Sequence, residues 1–142
     1  MFSKKNDLNE LLELGIKAHR HADLKQAEAC YRKIIELDPK HPFANHNLGL
    51  VAVSAGKNKL ALPHFKQALQ SDNSIEQFWL SYIKALSDER KVDDALKQLS
   101  MARNYGHAGP KFDHLESLLY QNSKKLLSTP SVQQMRKLFS LY

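Results

Sequence analysis

The chain has 142 residues, 42% of them hydrophobic and 25% charged, with a formal net charge of +6 and a single cysteine. That is one domain of an ordinary globular chain, long enough to bury a core. It excludes an internal disulfide or a thiolate metal cage, because Cys30 has no second cysteine beside it, and it offers no apolar run near the ~20 residues of a membrane span.

The opening stretch, MFSKKNDLNELLEL, carries lysines but no apolar run that ends in a small-residue cleavage site. It is therefore expected to be mature, cytoplasmic sequence. Asp7 and Glu10 have the spacing of a capping box at the start of a first helix, over about 8–21. A second helix follows over about 25–38 and closes at Asp38-Pro39. Cys30 lies inside it among helix formers, which suits a buried structural thiol with no base arranged to activate it. His41-Pro42 opens a second pair, over about 42–55 and 59–72. Pro63 fits that pair if the helix begins near Lys59, which would put the proline in a first turn. A third pair is expected over about 76–88 and 92–105, with Asp88-Glu89 and Asp93-Asp94 as capping groups beside helix starts. One more helix, about 111–127, carries Phe112, Leu115, Leu118, Leu119 and Leu126 at helical spacing and should pack on the third pair. Ser128-Thr129-Pro130 then breaks the chain, and Val132, Met135, Leu138, Phe139 and Tyr142 form a last apolar stripe over about 131–142.

Three ungapped segments of equal length line up, 8–41, 42–75 and 76–109. Ala27, Ala61 and Ala95 fall in register, as do Tyr31, Phe65 and Leu99, and then Ile34, Ala68 and Ala102. Earlier in each unit stand Leu11, Asn45 and Trp79, then Leu14, Leu48 and Tyr82, then Gly15, Gly49 and Ile83. Small residues at a fixed place let two helix axes approach closely, and a larger side chain there would overpack the crossing at a cost of ~1–3 kcal/mol.

This pattern resembles the tetratricopeptide repeat (TPR) family, whose 34-residue unit reads W-x2-L-G-x2-Y, A-x3-F, A, P. The resemblance covers 8–109; Pro39 supplies the closing proline of the first unit, Asn73 and His107 replace it in the others, and Ile83 replaces the small glycine in the third. It implies an all-α fold: a single domain over 1–142, built as a right-handed superhelical solenoid of three helix hairpins plus C-terminal helices. Met135, Leu138, Phe139 and Tyr142 have the mutual spacing of the unit's opening W, L, G and Y, so 131–142 reads as the first helix of a further hairpin and the chain is expected to be cut from a longer protein; the alternative is that 111–142 forms a terminal two-helix cap. Left uncovered, 131–142 would fray, fold back or associate with a second copy.

In the family the first helix of each hairpin lines a concave groove, and the matching positions here are Leu12, Ile16 and His19, then Phe43, His46, Asn47 and Leu50, then Gln77, Leu80 and Lys84. Several are apolar, which suits a groove for an amphipathic helix or an extended peptide. Leu12, Ile16 and Leu50 could equally pack neighbouring first helices together, so Phe43 and Leu80 are the better contact residues. Some members grip a terminal carboxylate with a lysine, asparagine and arginine clamp; the matching positions here are Leu12, Ile16, Asn47, Gln77 and Ser81, and only Asn47 fits.

The chemistry-bearing residues form no reaction centre. The seven histidines are isolated or wrongly spaced for a metal, no H-E-x-x-H or G-x-S-x-G motif occurs, and no glycine-rich phosphate loop is present. No catalytic residue, cofactor or metal is therefore expected. The 21 basic residues lie singly or in pairs without interleaved aromatics, so nucleic acid is not an expected partner, and neither is a membrane. The reading is a non-enzymatic scaffold that binds a protein segment. The alternative is an N-terminal, substrate-recruiting arm of a larger bacterial glycosyltransferase or sulfotransferase.

Overall fold

The computed structural model describes residues 4–127 and Lys137. The expectations for 131–142, a partial repeat helix and a self-association surface, fall outside the described residues apart from Lys137. Seven helices follow in order: α1 (Lys4–Arg20), α2 (Leu24–Leu37), α3 (Pro42–Ser54), α4 (Asn58–Ser71), α5 (Glu76–Asp88), α6 (Val92–Asn104) and α7 (Pro110–Leu127). Each packs on its chain neighbour, and α1 on α3, α3 on α5 and α5 on α7 make the second set of contacts. Helical hairpins stacked in this way form a solenoid.

The crossing within each hairpin sets its geometry. Ala27, Ala61 and Ala95 are all fully buried, on the faces where α2, α4 and α6 meet their neighbours. A Cβ added to Gly15 would lie 2.5 Å from Cε1 of Tyr31, and one added to Gly49 would lie 2.6 Å from Cδ1 of Phe65. Each glycine therefore makes room for the aromatic ring of the second helix. The third unit solves the same problem in reverse: Ile83 stands in the glycine's place, and the ring has shrunk to Leu99. A larger residue on one helix is answered by a smaller one on the other, which is how a packed core tolerates exchange.

The turns repeat as well. Ala22, Gly56 and Arg90 have φ of 59°, 73° and 59°, each ending the first helix of a hairpin. The next residue donates back five positions at each one: Asp23 to Ala18, Lys57 to Ala52 and Lys91 to Leu86, at 2.8–2.9 Å. This satisfies the orphan carbonyls at a helix C-terminus. Only Gly56 occupies the left-handed region without strain.

The starts of the second and third helices are capped by side chains. Asp23 accepts from the Gln26 amide at 3.1 Å, and Nδ1 of His41 accepts from the Ala44 amide at 3.1 Å with Pro42 in the first turn. Asn45 and Trp79 share a task that their chemistry hides. Asn45 Nδ2 donates to the Pro39 carbonyl at 3.1 Å, and Trp79 Nε1 donates to the Asn73 carbonyl at 2.8 Å. Each side chain ties its helix to a carbonyl in the loop that opens the unit.

Four expectations change. The first helix begins at Lys4, so Asp7 sits within its first turn and caps nothing from outside. Pro63 is the sixth residue of α4, past the first turn; the helix starts at Asn58, and the lost donor falls opposite the carbonyl of exposed Lys59, where water has access. Asp88 closes α5 and pairs with Lys84 at 3.2 Å, while Asp93 and Asp94 lie in the first turn of α6, where the dipole favours them. Leu14 is 54% exposed although Leu48, its counterpart in the second unit, is buried against α2. The described residues hold no second helix preceding α1, so nothing covers Leu14 as α2 covers Leu48.

Helix α7 starts at Pro110, one full repeat length after the start of α5 at Glu76. Phe112, Leu115 and Leu119 bury one face on α5 and α6. Asp113 and Glu116 both receive the Arg103 guanidinium from α6, at 3.1 and 2.5 Å.

Candidate functional site

The first helices are joined at every step by a side-chain hydrogen bond between residues 35 apart. His19 Nε2 meets Ser54 Oγ at 2.9 Å, His46 Nε2 meets Ser81 Oγ at 2.8 Å, and Asn122 Nδ2 donates to Ser87 Oγ at 3.2 Å. The outer two bonds occupy the same place in the repeat. The equivalent pair in the middle step is Val53 and Asp88, and a hydrocarbon cannot make that bond. The middle step is closed instead near the other end of its helices, by His46 and Ser81.

His46 is only 4% exposed. Its ring stacks on Phe78, with centroids 4.7 Å apart and planes at 27°, and lies 5.5 Å from the ring of Phe65. Nδ1 lies 3.3 Å from Asn47 Oδ1, which can only accept, so the neutral ring carries its proton there and accepts from the Ser81 hydroxyl through Nε2. Gln77 Nε2 donates in turn to Ser81 Oγ at 3.1 Å. Burial pushes the His46 pKa below its ordinary value, against the smaller upward pull of the Asn47 hydrogen bond.

Two cavities open on this face. The smaller, about 320 Å³, lies between α1 and α3 and is lined by Ile16, His19, Arg20, Tyr31, Asn47 and Leu50. The larger, about 460 Å³, has Leu50, Val53 and Phe65 on one side and Gln77, Leu80, Ser81, Lys84, Ala85 and Asp88 of α5 below. Lys111, His114 and Leu115 of α7 complete it. It lies where Val53 and Asp88 leave the middle step unbonded. Leu50 borders both cavities and joins them.

Of the residues chosen from sequence, Ile16, His19, Asn47 and Leu50 line the smaller cavity, and Leu50, Gln77, Leu80 and Lys84 the larger. Leu80 is 8% exposed, with most of its side chain in the core. Leu12 packs into the α1–α3 core. Phe43 is 43% exposed, sits edge-on to Phe78 at 5.4 Å and belongs to neither cavity. His46 is a structural post under the groove. The cavity-lining residues outside the groove read from sequence are Arg20, Tyr31, Phe65, Ala85, Asp88, Lys111, His114 and Leu115. The last three were accessible through the repeat period, which places α7 where the next first helix falls.

Among the described residues no three His, Cys, Asp or Glu side chains come together as a metal site, and no helix is long and apolar enough to cross a membrane. Cys30 is buried and its thiol pKa is pushed up by burial, the opposite of an activated nucleophile.

A family model for the tetratricopeptide repeat matches residues 22–41, which span α2 and its flanking turns. Solved structures resemble most of the chain. The Yersinia enterocolitica type III secretion chaperone SycD, in complex with a peptide of the translocator YopD, is 18% identical, with a TM-score of 0.71 over 83% of this chain and 93% of that one. The TPR2B domain of yeast Sti1, in a complex with pHsp70, is 18% identical, with a TM-score of 0.70 over 84% and 98%. A Thermobaculum terrenum O-GlcNAc transferase is 21% identical, with a TM-score of 0.65 over 72% of this chain, which spans only 20% of that enzyme. The family match in the first hairpin and the superpositions across the array agree with the packing geometry, and the chain is an all-α helical-repeat solenoid with the fold of tetratricopeptide-repeat domains.

Proposed function

We propose that this chain is a non-catalytic scaffold that holds a peptide or helix of another protein in the groove formed by α1, α3, α5 and α7. The observation that carries this reading is the pair of adjoining cavities, about 320 and 460 Å³, joined through Leu50 and walled by Leu80, Val53 and Leu115. Apolar concavities of this size with a few polar groups at the rim are the usual form of a binding site. Solved structures with the same fold include peptide complexes, among them SycD with a YopD peptide. The array acts as one domain in this reading, in a reducing, cytoplasmic setting that suits the buried free thiol of Cys30.

The test is selection of a displayed library of random 12-residue peptides on the intact chain, repeated on Leu50→Glu after circular dichroism confirms its fold. Peptides that bind the parent chain and lose binding to Leu50→Glu support the groove. A library that yields only binders indifferent to Leu50→Glu refutes it.

The likeness to the O-GlcNAc transferase favours a second reading, in which the groove recruits a protein substrate for a glycosyltransferase. A reading frame that runs on from Tyr142 into a transferase domain would establish it, and a stop codon there would remove it.

A further inference from the structure

The groove carries an uneven charge, which says what kind of segment it takes; the inference rests on the groove reading above. Four charged side chains border the two cavities: Arg20, Lys84, Asp88 and Lys111. Asp88 is the sole carboxylate among them, and Lys84 already holds it at 3.2 Å along one face of α5. Arg20, at the end of α1, and Lys111, in the first turn of α7, are exposed and make no ion pair among the described residues. They border different cavities, with the apolar track through Leu50 between them. His19 and His114 also border the cavities and bring no negative charge. The whole chain is basic, with 21 Lys and Arg against 15 Asp and Glu.

We infer that the groove selects an acidic amphipathic protein segment, with large apolar side chains seated about Leu50 and carboxylates flanking them to meet Arg20 and Lys111. This arrangement differs from a clamp on a terminal carboxylate. The apolar track supplies the burial, and two separated cations set polarity and register. Charges at the edge of an interface act mostly on encounter rate and on discrimination between partners, and they weaken with salt. A basic segment meets repulsion at both ends, and the one carboxylate bordering the cavities, Asp88, is occupied by Lys84.

The experiment uses the intact chain and Arg20→Glu/Lys111→Glu, whose two sites are exposed, so that matching thermal melts are expected. The same 12-residue library is selected on both at low ionic strength, and one enriched peptide is synthesised with a fluorescent label for anisotropy titration. On the parent chain, groove-dependent peptides should carry Asp or Glu on either side of a large apolar pair. On the reversed chain the flanks should turn to Lys or Arg. The synthetic acidic peptide should bind the reversed chain about tenfold or more weakly at low salt, with the gap narrowing in 0.5 M salt as exposed charges are screened. Neutral or basic flanks on peptides that still need Leu50 overturn the charge inference and leave the groove reading standing. So does equal affinity of the acidic peptide for both chains. Binders indifferent to Leu50→Glu remove both.

Discussion

Gly49 is the position where the repeat's packing can be tested with a single methyl group. In Gly49→Ala the new Cβ would sit 2.6 Å from Phe65 Cδ1, and the ring is 1% exposed, enclosed by its neighbours. Something in a tightly packed crossing must move. Overpacking of this kind costs ~1–3 kcal/mol, and alanine's better helix propensity returns about 1 kcal/mol. The expected net loss is therefore anywhere up to about 2 kcal/mol, or up to about 8 °C in melting temperature for a domain of this size. The third unit supplies the compensating change. Phe65→Leu alone should also destabilise, by opening a cavity, but Gly49→Ala/Phe65→Leu should lose at least about 1 kcal/mol less than the two single losses added together. The assay is urea unfolding followed by circular dichroism, with all four members of the cycle compared at a common slope. A stabilising Gly49→Ala, together with strict additivity in the double variant, would refute the claim that glycine is there to admit the ring.

Replacing Ala22 or Arg90 by glycine should raise stability by up to about 1 kcal/mol each, because both hold a left-handed φ of 59°; a lower melting temperature for both variants would contradict this. Trp79→Phe keeps a buried ring but removes the donor to the Asn73 carbonyl, and should cost about 1–2 kcal/mol in urea unfolding, a larger loss than Tyr105→Phe at an exposed site. His46 binds its proton less readily in the fold than in the unfolded chain, whose value is near 6.5, so the unfolded state takes up more protons as pH falls. Stability should be complete above pH 6.5, decline as pH falls below it, and level off once the lower folded-state value is passed. His46→Gln should flatten that part of the profile in urea melts from pH 7.5 to 5, with His64→Gln as a parallel variant because burial, with the Arg32 charge, lowers that group too. An unchanged slope in the double variant would place the pH dependence elsewhere.

The hairpins were legible because their packing leaves a mark on composition. A crossing that admits only a methyl group returns alanine once per repeat, at Ala27, Ala61 and Ala95, and no other local preference produces that interval. Helix α7 left no such mark. Where the family has its aromatic and its leucine, α7 has Asp113 and Glu116, which answer Arg103. The pattern looked absent although the spacing held, and the groove wall formed by Lys111, His114 and Leu115 went with it. Asn45 was opaque for a related reason: its likeness to Trp79 is a shared N–H donor, and hydropathy does not record donors. The burial of His46 depends on Phe78, which stands on a different helix in the next repeat, so nothing near it in sequence could announce it. Leu14 shows the opposite failure, a residue with a core pattern that no described helix covers.

Methyl NMR of the intact chain, titrated with a peptide selected on it, tests the binding groove most directly. The account predicts shifts concentrated at Leu50, Val53, Leu80 and Leu115, with Leu37 and Leu60, exposed outside both cavities, left unmoved. Shifts centred on Leu37 and Leu60, with the methyls around Leu50 silent, would contradict it.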